Sequence, residues 1–363
     1  MTEHTLAAAP RSKRDRGPEA QRATMKARRD QFLQLYDFSQ GRGLEIGPLD
    51  AGIADTECHD VRYVDIFDTA GIVEHYAEDP NVILELVPHI DYPIYVDGQA
   101  RPLGEAAAPG GPYDWVIASH VIEHVPDVIG WLEQIADISA DGARLLLAVP
   151  DRRYCFDRHR PPTTIGQALD AYEEQRTRPT PGTVYDFFST VVSVNTAELW
   201  SGGRPPGRSA RIHDLNSVRS QVEQARAGEY IDCHVWTFTP EALLEQVQEL
   251  RELGLCEWYV EHVEPSRGTV EFLAVLRRLP RDGDRSVPAE PTVSDDVPSW
   301  LADEVQARDR LRKVRGSLQA ERQRVRVLRR RNQRLRARLA EVDVPVAARV
   351  RGAVARRLRA RRG

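Results

Sequence analysis

The sequence predicts an α/β fold: a doubly wound sheet with a helical insertion, followed by a C-terminal coiled-coil helix. One observation is a short strand-like segment that ends at Gly47 and is followed 18 residues later by Asp65. Another is a pair of apolar runs, 113–119 and 143–150, each followed directly by a polar side chain. Because parallel strands are buried on both faces and end at one edge, these segments predict a single sheet with a ligand-binding edge.

The turn after the first predicted strand indicates a nucleotide-containing cofactor. Gly47 lets the backbone approach a ligand closely, and Asp65 has the spacing at which a second strand gives a carboxylate to a ribose. Dinucleotide sites use G-x-G-x-x-G here, but this turn has Glu45 before Gly47 and Pro48 after it. An acid in that turn repels a pyrophosphate and attracts an ammonium group. The turn therefore favours S-adenosylmethionine over NAD.

From Arg42 to Leu279 the sequence resembles the class I S-adenosylmethionine-dependent methyltransferases, in particular the type 11-like subgroup. The resemblance implies a seven-stranded, Rossmann-like sheet whose last two strands form an antiparallel hairpin. It also implies that the first turn holds the methionine part of the cofactor and that acids after the second and third strands reach the ribose and the adenine. The segments that carry it are 42–48, 63–66, 94–98, 113–125 and 143–151. The cofactor-binding residues it implies are Glu45, Gly47, Pro48, Gly52, Asp65, Ile66, Asp97, Gly98 and Ser119.

Each of these features has a simpler interpretation when it is taken alone. Gly47 and Pro48 could form any strand-ending turn, and Asp65 or Asp97 could be a solvated loop acid. Their order favours a shared site, because acids that end successive parallel strands converge on one edge of the sheet.

Three polar side chains near this edge are candidate catalytic residues. Methyl transfer to a hydroxyl group requires that the acceptor be aligned and that its proton be removed. His120, at the end of the fourth strand, is a candidate base, although it could instead shape the cofactor pocket or cap the next helix. His124 is a further candidate or a packing histidine, and Asp151 at the end of the fifth strand is a second candidate base.

The segment His120-Val-Ile-Glu-His124 also matches the H-x-x-E-H zinc motif of inverted metallopeptidases. That motif requires a helix and a third ligand, whereas a strand is predicted to run directly into His120. The cysteines, Cys58, Cys155, Cys233 and Cys256, are far apart in sequence. We therefore predict no metal site from the sequence.

The segment 152–235 is a long insertion that we expect to bind the acceptor and to cover the cofactor. Residues 164–176 and 185–200 have helical apolar spacing, 201–207 break the chain, and Thr239-Pro240 has the sequence of a helix start. Guanidinium groups at its beginning match phosphate or carboxylate groups, or form a solvated loop. The acceptor-binding candidates are Arg152, Arg153, Tyr154, Arg158 and His159, with Arg160 beside them.

Charge divides the chain into an acidic body and a basic C-terminal part. Residues 308–363 have 21 Arg and Lys against 4 Asp and Glu, a net charge of +17, whereas residues 1–307 have 29 against 51, a net charge of −22. We expect a flexible basic arm at 1–30, with the first helix near 31–38, and a methyltransferase domain at 31–280. A linker at 281–300, a coiled coil at 301–342 and a basic amphipathic tail at 343–363 complete the predicted organisation.

The heptad pattern within 311–342 predicts a parallel homodimer. Apolar residues recur every seven positions in two series, and Asn332 lies in the a series, where a single Asn favours two strands. A solvated arginine-rich helix is the alternative. The tail suits an anionic membrane surface or envelope-assembly enzymes, while nucleic acid or the acidic body are rival partners. Residues 1–29 have no apolar core of a signal peptide, and the unpaired cysteines favour the cytoplasm, with possible peripheral attachment at the inner face of the membrane.

The resemblance implies O-methylation of a sugar or a polysaccharide or cell-envelope precursor. Its subgroup often accompanies sugar and envelope genes, and chain-terminating polysaccharide methyltransferases also have a coiled coil after the catalytic domain. Two alternatives stay open. One is a cofactor-binding scaffold that recruits glycan-assembly enzymes through its coiled coil, and the other is a small-molecule or RNA methyltransferase.

Overall fold

A computed structural model describes residues 18–280, 349–357 and 360. Its strands are β1 (Gly43–Ile46), β2 (Val61–Asp65), β3 (Tyr92–Pro93), β4 (Tyr95–Val96), β5 (Gln99–Ala100), β6 (Tyr113–Ser119), β7 (Ser139–Pro150), β8 (Trp258–Glu264) and β9 (Glu271–Arg278). Its helices are α1 (Pro18–Leu35), α2 (Thr69–His75), α3 (Leu103–Ala107), α4 (Val128–Asp137), α5 (Ile165–Glu173), α6 (Pro181–Thr190), α7 (Thr196–Trp200), α8 (Leu215–Ala227) and α9 (Pro240–Glu252). Short 3₁₀ helices lie at Leu84–Leu86, Ala108–Gly110 and Arg208–Ala210.

The sheet has seven strands in the order β3-β2-β1-β6-β7-β9-β8. Strands β3, β2, β1, β6 and β7 are parallel, and β9 lies antiparallel between β7 and β8. The predicted doubly wound, seven-stranded fold with an antiparallel edge hairpin is therefore confirmed. Ile46 pairs with Val64 on one side and with Ala118 on the other, so the next residues, Gly47, Asp65 and Ser119, share one row at the carboxyl edge.

Alternate residues of the central strands pack on opposite faces of the sheet. Leu44, Val116 and Leu147 belong to a core cluster that includes α4 and α9. Trp115 and Ile117 belong to a second cluster that includes Phe32 of α1. Period-two alternation thus distributes these buried apolar side chains over two layers.

Helix α1 begins earlier than the sequence predicts. Residues 18–30 were expected to belong to a flexible arm, yet they form part of α1. Phe32 is fully buried, and Arg28 forms an ion pair with Glu271 at 2.8 Å. These tertiary contacts stabilise a segment whose local composition is polar. Residues 1–17 of the predicted arm lie outside the described residues.

The insertion forms a helical layer with a core of its own. The predicted helix at 164–176 is confirmed as α5, whose N-cap Thr164 forms a capping box with Gln167. The predicted helix at 185–200 is wrong as a single element, because buried Val191 and Val192 separate α6 from α7. The N-cap at Thr239 is confirmed, since its hydroxyl accepts a hydrogen bond from the N–H of Ala242. The core of this layer contains Val184, Phe187, Phe188, Val191, Val218, Ala225, Ile231 and Cys233.

The chain divides into two compact units, Met1–Asp296 and Val297–Gly363. The predicted linker at 281–300 and coiled coil at 301–342 lie outside the described residues. Within the predicted tail, residues 349–357 are helical, and Val350 and Val354 are 56% and 52% exposed. In the part of the chain that is described, no helix has both the length and the apolar character needed to cross a bilayer.

Candidate cofactor and active site

The loop after β1 is held by a buried glutamate. The carboxylate of Glu45 is 1% exposed and accepts backbone hydrogen bonds from Ile53 at 2.7 Å and Ala54 at 3.0 Å. Burial raises its pKa to about 7, although the two hydrogen bonds oppose this shift. Glu45 therefore fixes the path of the loop, and its contact with a cofactor ammonium stays a prediction.

Gly47 adopts a conformation that suits glycine. Its φ is +63°, and a Cβ atom added there would lie 3.2 Å from Cγ2 of Val121. Its N–H donates to the carbonyl of Val64 at 2.9 Å, which ties the turn to β2. Pro48 beside it is buried, and the carbonyl of Gly52 accepts a hydrogen bond from Arg29 of α1 at 2.8 Å. Because Gly47 has no side chain, a ligand can approach its backbone closely.

Asp65 and Ile66 place an acid and an apolar side chain at the end of β2. The carboxylate of Asp65 accepts a hydrogen bond from the N–H of Ile66 at 2.7 Å, and burial raises its pKa to about 6. The side chain of Ile66 is 38% exposed. A carboxylate beside an exposed apolar surface matches the two parts of a nucleoside, a ribose diol and a base.

Ser119 has a buried hydroxyl group at the end of β6, one strand from Gly47. Its Oγ has no hydrogen-bond partner among the described residues. A buried hydroxyl without a partner costs free energy that a bound polar ligand can offset. The free hydroxyl of Ser119 and the accessible backbone of Gly47 therefore fit a polar cofactor at this edge.

Asp97 does not follow the third strand as predicted. That strand is β3, which ends at Pro93, whereas β4 and β5 form a separate two-stranded hairpin. Asp97 and Gly98 form its exposed turn, with φ of +52° and +79°. The expectation of a strand-end acid at 97 is therefore corrected, because the Asp-Gly pair has the positive φ values of a tight hairpin turn.

His120 lies directly after β6 between two carboxylates. It has a φ of +57° and a side chain that is 29% exposed. Its Nε2 makes a very short contact with Glu271, and its Nδ1 lies 3.3 Å from Oε1 of Glu123. Burial lowers the pKa of His120, but Glu271 and Glu123 outweigh burial and raise it overall.

Arg28 of α1 completes the environment of Glu271. Its Nε and its terminal nitrogen contact the two carboxylate oxygens at 2.9 and 2.8 Å. Burial raises the pKa of Glu271, but His120 and Arg28 outweigh it, so that the pKa falls to about 2. An N-terminal helix and a C-terminal strand thus meet at the candidate base.

Glu123 and His234 extend this network into the interior. The Glu123 carboxylate is 1% exposed, and neither oxygen has a hydrogen-bond partner among the described residues. Nε2 of His234 lies 4.0 Å from Oε1 of Glu123, and its Nδ1 contacts Asp157 at 2.5 Å. The backbone places His234, since the carbonyl of Glu123 accepts a hydrogen bond from the N–H of Val235 at 2.7 Å.

His124 has a carboxylate partner from the insertion. Its Nδ1 lies 2.8 Å from Asp232, and its ring meets that of His234 edge-on at 4.7 Å. Burial lowers the pKa of His124, but Asp232 and then Glu123 outweigh it and raise the pKa to about 9. His124 is therefore part of a polar cluster and not only a packing residue.

Asp151 is held in a structural ion pair. Its carboxylate is fully buried and contacts the guanidinium of Arg153 at 2.7 Å and the hydroxyl of Ser266 at 3.3 Å. Burial raises the pKa of Asp151, although Arg153 opposes the shift. Asp151 was predicted as a second candidate base at the end of the fifth strand, and its enclosed oxygens do not fit that role.

The arginines after β7 mostly contact other protein groups. The predicted alternative of a solvated arginine-rich loop is therefore wrong. Nε of Arg152 donates to the carbonyl of Arg160 at 2.7 Å, and Arg158 donates to the carbonyl of Arg153 at 3.2 Å. Arg160 is 7% exposed and binds Asp157 and the carbonyls of His234 and Val235. These partners contradict an open oxyanion clamp at Arg153 and Arg160.

The two remaining candidates for acceptor binding also have internal contacts. Tyr154 is 1% exposed and stacks on Trp200 with ring centroids 4.4 Å apart. A ring nitrogen of His159 lies 3.1 Å from the carbonyl of Pro206. Both residues hold the insertion together, so contact with an acceptor stays a prediction for them.

Sequence reasoning missed the partners of the two motif histidines. Glu271, Asp232 and His234 lie more than 100 residues from His120 and His124 along the chain. A weak signal was present, because Asp232 and His234 interrupt an otherwise apolar stretch before Trp236.

Comparison with known proteins gives one family match. Residues 19–250 match the family model described as a methyltransferase domain. No curated protein matches the chain with significant similarity.

Several solved structures with low similarity to the chain are methyltransferases, and one is a putative hemolysin from Streptococcus thermophilus, 14% identical over 81% of this chain and 76% of the other, with a TM-score of 0.32. A magnesium protoporphyrin IX methyltransferase from Synechocystis PCC 6803 with bound SAH is 12% identical, with a TM-score of 0.32, over 70% of this chain and 82% of the other. A possible histamine N-methyltransferase from Thermotoga maritima is 12% identical over 71% and 90%, with a TM-score of 0.33. A putative S-adenosylmethionine-dependent methyltransferase from Listeria monocytogenes is 12% identical over 71% and 100%, with a TM-score of 0.35.

Proposed function

This chain belongs to the methyltransferase-domain family and is an S-adenosylmethionine-dependent enzyme, and we propose that it methylates a hydroxyl oxygen of a sugar or of a polysaccharide or cell-envelope precursor. One observation carries the choice of a hydroxyl acceptor. His120, next to the cofactor edge, lies between the carboxylates of Glu123 and Glu271. Such a group suits the removal of a proton from a hydroxyl group.

The residues at the carboxyl edge account for cofactor binding in this proposal. S-Adenosylmethionine supplies an electrophilic methyl group when it is bound. Asp65 accepts hydrogen bonds from the ribose, Ile66 contacts the adenine, and Ser119 and the backbone of Gly47 bind the polar methionine part. Glu45 keeps the loop in place and attracts the ammonium group.

His120 aligns the acceptor and moves its proton in this proposal. The ring has carboxylates at both nitrogens, so its orientation is fixed before the acceptor arrives. To accept the proton, the neutral ring must turn one nitrogen from its carboxylate towards the acceptor. The other carboxylate then stabilises the charged ring, as the raised pKa of His120 indicates. The insertion, with its helical layer, provides the surface around the acceptor.

The choice of a sugar or envelope acceptor rests on the resemblance of the His-Val-Ile-Glu-His segment and on the predicted coiled coil. We propose a homodimer through 311–342 and a basic tail that contacts an anionic membrane surface or envelope-assembly enzymes. The exposed Val350 and Val354, one helical turn apart among arginines, support a tail that binds a surface. Two tails in one dimer bind more tightly than one.

Calorimetric titration of the purified protein tests the cofactor assignment. We expect binding of S-adenosylmethionine at micromolar concentration, little binding of NAD, and loss of binding in Asp65→Ala. A preference for NAD would contradict the cofactor site.

Transfer of a labelled methyl group then tests the acceptor. We expect label in nucleotide sugars or in envelope glycans and not in RNA or amines, and we expect His120→Ala to reduce turnover at least 100-fold with cofactor affinity unchanged. Cofactor binding without transfer to any glycan would favour a scaffold or a different acceptor class.

A further inference from the structure

We propose that Glu123, His124 and His234 form a binding site for a divalent first-row transition-metal ion, with Zn²⁺, Mn²⁺ and Co²⁺ as suitable ions. One ligand atom from each of the three residues lies within 4.8 Å of the others. Two imidazoles and one carboxylate form a mixed nitrogen and oxygen ligand set. Such a set suits these ions, whereas Mg²⁺ and Ca²⁺ prefer oxygen ligands alone.

The orientation of both histidines supports this site. His124 uses Nδ1 for Asp232 at 2.8 Å, and His234 uses Nδ1 for Asp157 at 2.5 Å. The contacts with these two carboxylates leave Nε2 of both histidines available for an ion. A histidine that gives one ring nitrogen to a carboxylate and leaves the other for an ion has the usual arrangement of metal ligands in proteins.

The state of Glu123 gives an independent reason. Its carboxylate is 1% exposed, and neither oxygen has a hydrogen-bond partner among the described residues. A buried carboxylate costs several kcal/mol unless cations or donors compensate it. Burial raises the pKa of Glu123, but His120 and then His124 and His234 outweigh burial and lower it, so protonated histidines take the place of an ion when none is bound. His120 Nδ1 at 3.3 Å and His234 Nε2 at 4.0 Å are the neighbouring donors, and both distances exceed a normal charge-assisted bond.

The charges around the site favour a dication. Glu123, Asp157, Asp232 and Glu271 are four carboxylates, whereas Arg28 and Arg160 are the two guanidinium groups in direct contact with them. The raised pKa values of His120 and His124 show that protons balance part of this charge when no ion is bound. An ion requires neutral imidazoles and so displaces those protons, which leaves the set with a net charge of −2 that one divalent ion neutralises.

An ion would draw the three ligand atoms together by up to about 1.4 Å, from separations within 4.8 Å. Ligand atoms about 2.1 Å from a tetrahedral ion lie about 3.4 Å from one another, and Nε2 of His234 lies 4.0 Å from Glu123 in the structure. Three protein ligands leave a position open for water or for an oxygen of the acceptor. Ion binding is independent of the proposed function, and only the contact with an acceptor rests on it.

The H-x-x-E-H segment thus contributes its last two residues in a turn and not in a helix. The third ligand, His234, comes from the end of the insertion. From the sequence we expected no metal site because the motif was not predicted to lie in a helix, and nothing in the sequence around His234 marks it as the third ligand.

Titration of the chelator-treated, full-length protein with Co²⁺, followed by visible absorption, tests the site. We expect one ion per chain, with ligand-field bands that Zn²⁺ displaces. Glu123→Gln and His234→Ala should each weaken binding at least 100-fold, and Asp232→Asn, which removes only the partner of His124, should weaken it about 10- to 100-fold.

The matched control is His262→Ala on β8, where the side chain is 47% exposed and outside the cluster. It should bind Co²⁺ like the unchanged protein. Circular dichroism and S-adenosylmethionine titration identify a variant that has simply unfolded. If His234→Ala unfolds, the isosteric Glu123→Gln still tests the site. Absence of stoichiometric binding, or binding that Glu123→Gln leaves unchanged, would overturn the proposal, and neither outcome depends on methyl transfer.

Discussion

Gly47 is the residue at which backbone conformation and cofactor binding coincide. Its φ of +63° and the 3.2 Å approach of Val121 to an added Cβ both oppose a side chain. We expect Gly47→Ala to lower the free energy of unfolding by about 1 to 2 kcal/mol and to weaken S-adenosylmethionine binding at least tenfold.

Gly254→Ala is the control for Gly47→Ala, because Gly254 has a φ of +77° and no atom within 4 Å of an added Cβ. It should reproduce the backbone cost, measured by urea unfolding, without a change in cofactor affinity. Equal loss of cofactor affinity in both variants would show that Gly47 has no special place in the site.

Asp65 gives cofactor binding a dependence on pH. Burial raises its pKa to about 6, and the charged carboxylate is the form that accepts hydrogen bonds from a ribose. The carboxyl group gains a proton as the pH falls through 6, so we expect the dissociation constant of S-adenosylmethionine to rise about tenfold per pH unit below that value. Calorimetry from pH 5 to 8 should show this slope, and Asp65→Asn should bind weakly at every pH.

At the level of residues, the sequence predicted the cofactor edge better than the catalytic surroundings. Gly47 and Asp65 are short-range features, since each lies where its own strand ends. The partners of His120 and His124 depend on β9 and on the end of the insertion, and no local pattern encodes those contacts. Asp151 was a candidate base by its position at a strand end, but it is buried in an ion pair with Arg153.

Helix α1 depends on one partly buried ion pair. The side chains of Arg28 and Glu271 are 23% and 7% exposed, whereas those of Lys26 and Asp30 on the same helix are 76% and 50% exposed. We expect Arg28→Met to destabilise the protein by about 2 to 3 kcal/mol, because it leaves Glu271 buried beside a weaker set of partners.

Lys26→Met is the matched control for Arg28→Met and should change stability by less than about 0.5 kcal/mol. Urea unfolding gives the difference, and hydrogen exchange of amides 22–35 should accelerate only in Arg28→Met. Unchanged exchange in that variant would show that Phe32 and the hydrogen bond of Arg29 to Gly52 hold the helix without the ion pair.

Periodicity predicted the helices that have a clear cap and failed where tertiary contacts decide. Thr239 caps α9 as expected, and Thr164, where a helix was predicted to begin, caps α5. The helical spacing of 185–200 is interrupted because Val192 forms a bridge with Arg211, a pairing that the sequence of the segment does not reveal. The resemblance placed segment 94–98 at the third strand of the sheet, yet β4 pairs only with β5.

At the scale of the whole molecule, the acidic body and the basic C-terminal part have separate roles in our proposal. We expect removal of residues 301–363 to convert a dimer into a monomer, as measured by light scattering, and to abolish binding to anionic vesicles. Methyl transfer to a soluble acceptor should persist, because the residues of the proposed site lie within 28–271. Loss of turnover in this otherwise folded variant would show that the C-terminal part is needed for catalysis and would contradict the separation of roles.

The position of β9 limits where this chain can be cut. The matched family region ends at residue 250, before both β8 and β9, yet β9 covers one side of β7 along seven residue pairs, from Arg144–Arg277 to Pro150–Glu271. A fragment that ends at 250 would leave β7, with its nearly continuous apolar sequence, as an unprotected edge strand that is prone to aggregation. During synthesis the same edge stays open until residue 278 has left the ribosome, so completion of the sheet and delivery of Glu271 to His120 are one late event.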